Sequence, residues 1–195
     1  AYADSLAQIG QGEQRMQVYE RLVSQNPTDI TLKATYGKAM LENGRTGEAI
    51  AVLEDVTASG KADWKAHSAL GSAYDQDGQH PRARQSYEKA LALRPGELSV
   101  MNNIGMSYSL EGDLGKAEKV LRDAMAQPGS AKLPRIRQNL ALVVGLQGRF
   151  DESRDIASAD LPPDQVEANL AYLQKMLSQA NTWKQLSGDN NNSGT

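Results

Sequence analysis

Large apolar and small residues recur along this chain in fixed columns, at a period of 34 residues in the first three copies. In each copy a large apolar residue directly precedes a small one, and a second large apolar residue lies three positions beyond the small one. The first large column holds Tyr36, Leu70, Ile104 and Leu140. The second holds Met40, Tyr74, Tyr108 and Val144. Apolar residues four positions apart lie on one face of an α-helix, so each copy is predicted to contain a helix with a buried face.

Two columns of small residues predict how each copy folds. The column inside the predicted helix holds Gly37, Gly71, Gly105 and Ala141. A glycine there costs about 1 kcal/mol relative to alanine, and we expect close packing of a second helix to offset this cost. The other column, seven positions later, holds Gly44, Gly78, Gly112 and Gly148. Because glycine readily takes the left-handed conformation that ends a helix, each copy is predicted to hold two helices, A and B, joined at this glycine.

The period, the large–small pair, a later alanine and a closing proline together resemble the tetratricopeptide repeat, or TPR. The alanine column holds Ala49, Ala83 and Ala117, with Ser153 in a last copy that arrives two residues late. The resemblance implies an all-α, right-handed superhelical solenoid of paired helices. Its predicted units are a partial first repeat over residues 1–29, repeats over 30–63, 64–97 and 98–131, and a divergent repeat over 134–161, all within one solenoid domain.

The segment after Leu161 is predicted to cap this array. Pro162 and Pro163 stop the preceding helix. An apolar stripe then follows at spacings of four, three and four: Val166, Leu170, Leu173 and Leu177. Because a solenoid needs a terminal element to cover its last apolar face, residues 162–180 are assigned as a capping helix. Residues 181–195 end in the polar run SGDNNNSGT and are predicted to be a disordered tail.

Composition agrees with an all-α chain and narrows the function. The 195 residues are 39% hydrophobic and 23% charged, and no run of about 18 apolar residues predicts a transmembrane helix. The net charge of -3 and the absence of a Lys/Arg stripe argue against a nucleic-acid partner. The chain has no cysteine, which excludes disulfides and thiolate zinc sites. It begins at Ala1, so we expect a processed or trimmed product, with membrane anchoring possible through a missing N-terminus.

No set of residues has the spacing of a catalytic, cofactor or metal site. His67 and His80 are 13 residues apart without a third ligand, and we expect the first to pack and the second to be exposed or to cap a helix. The sequence DQDG at Asp75–Gly78 lacks the spacing of a calcium loop, and GDLGK at Gly112–Lys116 lacks that of a phosphate loop. We therefore predict no enzyme, no cofactor, no metal and no small-molecule substrate.

The remaining candidate is a surface for a protein partner. In a TPR array the A helices line the concave side, and their exposed positions are predicted to form the partner-binding groove. These positions are Lys38, Leu41, Lys65, Ser68, Ser72, Asp75, Asn102, Asn103, Met106, Ser109, Arg135, Gln138, Asn139 and Leu142. This face is polar with few charges, and its amides can hydrogen-bond the backbone of an extended peptide or the outside of a helix.

The C-terminal third resembles a narrower group of proteins. The segment Asn139–Trp183 contains NLALV, GLQGRFDE, a DLP followed by spaced Val, Asn and YL, and a final tryptophan. This combination resembles the end of TadD-type proteins of the tight-adherence (Flp) pilus system, which are TPR proteins and often lipoproteins. The resemblance implies a scaffold role in pilus assembly or secretion. It also implies a place in the cell envelope of a Gram-negative bacterium, periplasmic or anchored at the outer membrane, although the lipid-bearing cysteine is absent.

Two alternatives stay open beside this interpretation. The chain could be a general TPR adaptor or secretion chaperone, in the periplasm or the cytoplasm. It could also be the TPR arm of a larger enzyme whose catalytic part is missing. A lipid-attachment motif in the full-length gene, without a catalytic domain, would favour the pilus scaffold, and a fused catalytic domain would favour the enzyme arm.

Overall fold

The computed structural model describes residues 12–189, with side chains up to residue 179. Within that range the chain forms ten α-helices and one 3-10 turn and contains no β-strand. The start of the predicted first repeat (1–11) and the end of the predicted tail (190–195) lie outside the described residues. No helix of this range is long and apolar enough to cross a membrane.

The helices fall into two compact units, one up to Glu111 and one from Gly112. The sequence predicts one continuous array, whereas this division lies inside the repeat predicted over 98–131. The helices described in the first unit are α1 (Gly12–Gln25), α2 (Ile30–Glu42), α3 (Thr46–Ala58), α4 (Trp64–Gln76), α5 (His80–Leu93) and α6 (Leu98–Glu111). Those of the second unit are α7 (Leu114–Met125), α8 (Pro134–Leu146), α9 (Phe150–Ala157) and α10 (Pro163–Asp189).

Aspartate and glycine mark helix boundaries in both units. Asp29, Asp63 and Asp113 precede helices, and each carboxylate accepts a hydrogen bond from the backbone N–H three residues on, at 2.9, 2.9 and 3.1 Å. Gly78, just beyond α4, has φ +76°, and the N–H of the next residue donates to the carbonyl of Tyr74 at 2.8 Å. This left-handed turn is the predicted end of helix A, and the other three glycines of that column also have positive φ.

Gly71 lies where α4 and α5 come closest. A Cβ added there would lie 2.4 Å from Cε1 of Tyr87, whose side chain is fully buried. A Cβ at Gly37 would similarly meet Leu53 of α3 at 2.8 Å. The prediction that these glycines permit close approach of the second helix is therefore confirmed at both positions.

The first part of α10 covers the apolar face of the second unit. Val166, Leu170 and Leu173 are at most 6% exposed, and a Cβ at Gly145 of α8 would lie 2.8 Å from Cδ1 of Leu173. Leu177, the fourth member of the predicted stripe, is only half-buried. Burial of this stripe stabilises the unit because about 25 cal/mol is gained per Å² of apolar surface removed from water.

The structure corrects where the predicted tail begins. Helix α10 continues to Asp189, nine residues beyond the predicted boundary at Ala180. Residues 181–189 contain no proline, and an existing helix needs no new nucleation to lengthen. The polar run SGDNNNSGT led to a predicted tail that begins too early in the chain. The residues NTWKQL before this run are compatible with a helix, and α10 continues through them.

The two extra residues before the last repeat form a local turn. Gly129 has φ +87°, and Ser130–Lys132 form the 3-10 turn between α7 and α8. Pro134 then lies in the first turn of α8, where its missing N–H leaves no hydrogen bond unmade. The longer linker is thus absorbed before the helix begins.

Candidate functional site

The predicted partner-binding residues of the first unit do not all face solvent. Lys38 and Lys65 are exposed, whereas five others are half-buried: Ser68, Ser72, Asn103, Met106 and Ser109. Leu41 and Asn102 are 8% and 5% exposed, so the prediction that they are exposed is wrong. Leu41 joins the core cluster of this unit, where its apolar side chain gains more from burial than from exposure. Counting positions along each repeat assigns a face but misses such differences in how each helix is turned.

The carboxylate of Asp75 forms hydrogen bonds within the first unit. It accepts hydrogen bonds from Tyr87 Oη at 3.0 Å and from Ser107 Oγ at 2.7 Å, and His80 Nδ1 lies 2.9 Å away. Burial, followed by the negative charge of Asp75, raises the pKa of the Tyr87 hydroxyl. Asp75 therefore ties α4 to α5 and α6, and it is a structural residue. His80 is likewise a partner of Asp75 and is half-buried as the first residue of α5, which corrects the expectation that it is exposed or caps the helix.

A small polar cavity of about 290 Å³ in the first unit is lined by Arg82 and Glu54, which pair with each other. Arg82 donates to Glu54 at 2.8 Å and to the Tyr74 hydroxyl at 2.7 Å, and its guanidinium lies 4.2 Å from the centre of the Tyr74 ring. Burial and the hydrogen bond to Glu54 raise the pKa of Tyr74 to about 12. Arg82, Glu54 and Tyr74 therefore satisfy one another, and Lys89 is the charged lining residue without an ion pair among the described residues.

The described residues contain no group of three or more His, Asp or Glu side chains that could hold a metal ion. His67 packs as expected in α4, and its pKa is lowered by burial and by the nearby charge of Lys89. Its Nδ1 is buried without a hydrogen-bond partner in the described part of the chain. A lone neutral imidazole of this kind does not form a metal site.

Three of the predicted residues in the second unit line one open groove. Gln138, Asn139 and Leu142 project from α8 into a groove of about 780 Å³ whose other walls are α9 and α10. Arg135, one turn before Gln138, is exposed. The structure thus brings together the predicted residues of α8, and it adds a wall from α10 that the sequence did not predict as a binding surface.

The groove is apolar, uncharged and open at one side. None of its lining residues is Asp, Glu, Lys or Arg. Tyr172 and Met176 of α10 stand at its edge with 69% and 37% of their surface exposed. At its base the Ser153 hydroxyl donates to the carbonyl of Ala141 at 2.7 Å and is satisfied. Exposed aromatic and methionine side chains beside a concave apolar surface are typical of protein-binding sites.

Ion pairs hold the walls of the groove from outside. Arg154 of α9 lies 2.7 Å from Glu167 of α10. Arg137 of α8 pairs with Asp160, just before α10. Hydrogen bonding to Glu167 raises the pKa of Arg154, and the pKa of Glu167 is lowered in turn. These ion pairs join α9 to α10, and α8 to the segment just before α10, and so hold the walls of the groove together.

The sequence also contains a signal for the α10 wall. This signal is missed when only one apolar stripe is assigned to the helix. Tyr172 and Met176 are four residues apart, and they lie beside the buried stripe of Leu170 and Leu173. Two adjacent apolar stripes on one helix indicate two contact surfaces. One stripe covers α8 and α9, and the other is left at the rim of the groove.

Comparison with known proteins shows which residues match tetratricopeptide repeats. Tetratricopeptide repeat profiles match residues 37–97 and residues 98–126. The chain is 28% identical over 123 residues to the TPR repeat-containing protein YvcD of Bacillus subtilis (strain 168), covering 63% of this chain and 25% of that protein. It is 26% identical over 107 residues to the uncharacterized protein y4yS of Sinorhizobium fredii, covering 55% and 58%. The chain thus matches a quarter and somewhat over half of the lengths of these two relatives.

The fold is similar to that of solved TPR proteins. The thermophilic TPR protein TTC0263 of Thermus thermophilus superposes with a TM-score of 0.73 at 22% identity, covering 89% of this chain and 95% of that one. This likeness concerns the fold, which is all-helical over the residues described here. With the repeat profiles, it identifies the chain as one that carries tetratricopeptide repeats in the fold of TPR solenoid structures.

Proposed function

We propose that this chain is a non-catalytic adaptor that binds a segment of a partner protein in the groove formed by α8, α9 and α10. Proteins built from tetratricopeptide repeats are typically interaction scaffolds, and the repeats here are matched over residues 37–126. The observation that carries the proposal is the uncharged groove of about 780 Å³ with Tyr172 exposed at its edge. Tyrosine is among the residues that contribute most to binding when a partner covers them.

We further propose that the partner is a component of a Flp-type pilus assembly or secretion apparatus. The support is the resemblance of Asn139–Trp183 to the end of TadD-type proteins. That segment contains nearly all of the groove, from the middle of α8 to the second half of α10. The proposal places the protein in the envelope of a Gram-negative bacterium, in the periplasm or anchored at the outer membrane. A general TPR adaptor or chaperone is the alternative.

The test is affinity capture from a host with an intact Flp pilus system and from the same host with that system deleted. The bait is the chain itself, as wild type, Tyr172→Glu or Leu110→Glu. Leu110 is a matched control, because it is an exposed apolar residue of the first unit at 61%. We expect a pilus component to be captured from the intact host and lost with Tyr172→Glu alone.

Two results would contradict parts of this proposal. If Tyr172→Glu leaves the captured proteins unchanged, the groove is not the partner site. Capture of the same partners from the deleted host would favour the general adaptor over the pilus role.

A further inference from the structure

We infer that the groove of α8, α9 and α10 takes an amphipathic helix with an uncharged apolar stripe and acidic residues beside that stripe. This inference rests on the proposed function, because it names the chemistry of the partner segment. Three observations carry it: the helical walls, the uncharged lining, and two cations next to the rim that have no ion pair within the described part of the chain.

The walls favour a helix over an extended segment. All three are α-helices, whose backbone N–H and C=O groups bond within the helix. An extended segment would bring one unpaired N–H and one unpaired C=O per residue into the groove, where the lining amides are Gln138, Asn139, Gln165 and Asn169. A helix satisfies its own backbone and needs from its site only an apolar surface.

The lining sets the chemistry of the inserted stripe. Leu142, Leu146, Tyr172 and Met176 offer apolar contacts, and the polar lining side chains are amides and hydroxyls. A charged side chain inserted here would lose its water without meeting an opposite charge, which is strongly unfavourable. The inserted residues are therefore apolar, with uncharged polar neighbours that can meet the amides.

Two cations next to the rim lack ion-pair partners. Within residues 112–179, Arg122, Arg137, Arg149 and Arg154 each have an ion pair, whereas Arg135 has none. Lys175 is also exposed and unpaired among the described residues, and it adjoins Met176. Both side chains remain available to a carboxylate on the partner.

The direction of the helices separates these two cations. Ala141 of α8 belongs to the same core cluster as Val166 of α10, and Gly145, four residues on, faces Leu173, so the two helices run in the same direction. Arg135 therefore belongs to the end of the groove near the start of α10, where Asp164 adds a negative charge. Lys175 belongs to the other end, and the acidic residue of the partner is expected chiefly there.

The probes are three labelled 18-residue peptides of similar composition, measured by fluorescence anisotropy against the full chain. One has Leu and Met at spacings of three and four with Glu beside the stripe, and the second has Lys in place of each Glu. The third has the first peptide's residues rearranged so that apolar and polar positions alternate, which suits an extended strand. Circular dichroism checks that every protein variant keeps its helix content.

We expect the acidic helical peptide to bind at least about tenfold more tightly than the alternating one. Tyr172→Glu should weaken its binding about tenfold or more, and Leu110→Glu should leave it unchanged. Lys175→Glu should weaken the acidic peptide roughly two- to fivefold and strengthen the basic one by a similar factor, which is the range of an exposed ion pair. Lys119→Glu, an equal charge change at an exposed residue outside the lining, should have the smaller effect.

Other outcomes would overturn the inference in distinguishable ways. If the alternating peptide binds as tightly and depends on Tyr172, the groove is the partner site but its occupant is extended. If no helical peptide binds at about 1 mM while capture of the cellular partner still depends on Tyr172, the inference fails and the proposed function stands. If neither depends on Tyr172, both fail. A dimer that Tyr172→Glu dissociates in sedimentation would mean that a second copy occupies the groove.

Discussion

At the scale of single residues, the contact between Gly71 and Tyr87 makes a sharp stability prediction. A Cβ at position 71 would lie 2.4 Å from the Tyr87 ring, which is fully buried and cannot swing away. Gly71→Leu should therefore lower the free energy of unfolding by about 1–3 kcal/mol, as overpacking does. The measurement is the midpoint of urea denaturation followed by circular dichroism.

The matched control is a helical glycine with open space around it. A Cβ at Gly47, in the first turn of α3, would meet nothing within 4 Å. Gly47→Ala should raise stability by about 0.4–1 kcal/mol because it restricts the unfolded chain. Equal loss of stability in both variants would mean that the two glycines do not differ in packing, contrary to the contact with Tyr87.

At the scale of helices, one ion-pair network ties α7 to α9. Glu118 of α7 accepts hydrogen bonds from Arg122 at 2.8 Å, from Arg149 at 2.7 Å and from Gln147 at 2.9 Å. Glu152 of α9 bonds both arginines as well. Burial of Glu118 opposes its ionisation, but the hydrogen bonds and charges of these partners outweigh burial and lower its pKa to about 2.

This network predicts the pH dependence of stability. A carboxyl whose pKa is lower in the folded state stabilises that state above its unfolded pKa of about 4.3, and this contribution disappears as pH falls towards about 2. Glu118→Gln should therefore lower stability at pH 7 by about 1–3 kcal/mol and flatten the loss between about pH 5 and 2. Urea midpoints measured across that range check it, and parallel curves for wild type and variant would refute it.

Helix α10 makes a second prediction at this scale. Ending the chain at Leu161 removes Val166, Leu170 and Leu173 from the apolar face of α8 and α9. The uncovered face should drive self-association, visible by light scattering after gel filtration. A chain ended after Gln179 keeps these three side chains and should remain unassociated. If the chain that ends at Leu161 stays monomeric and fully helical, α10 is not a cap.

At the scale of the whole molecule, the sequence predicted what repeats and missed what differs between copies. The glycine columns and the large apolar columns predict paired helices, because the same packing requirement returns every 34 residues. The fate of Asp75 could not be predicted, since its partners Tyr87 and Ser107 meet it only after α4, α5 and α6 pack. Only one wall of the groove was predicted from the sequence, for a related reason. Its α8 wall belongs to the repeat, whereas its α10 wall follows no period.

The last prediction separates the two compact units by function. Lys38 and Lys65 of the first unit are the exposed cations of the face that the sequence predicted to bind a partner, and the walls of the groove come entirely from the second unit. The double variant Lys38→Glu/Lys65→Glu lowers the formal net charge from -3 by four units. At 0.15 M salt, where screening acts over about 8 Å, it should bind the acidic helical peptide as the wild type does.

The same variant should bind an acidic peptide more slowly at about 0.01 M salt, where charges act over about 30 Å. Stopped-flow anisotropy at both salt concentrations separates this long-range effect from a direct contact. A tenfold loss of affinity that persists at 0.15 M salt would place part of the partner on the first unit, and the groove would then be only one portion of the binding surface. Unchanged affinity at 0.15 M with a slower association at low salt would assign the contact to the second unit, with the first contributing only its charge.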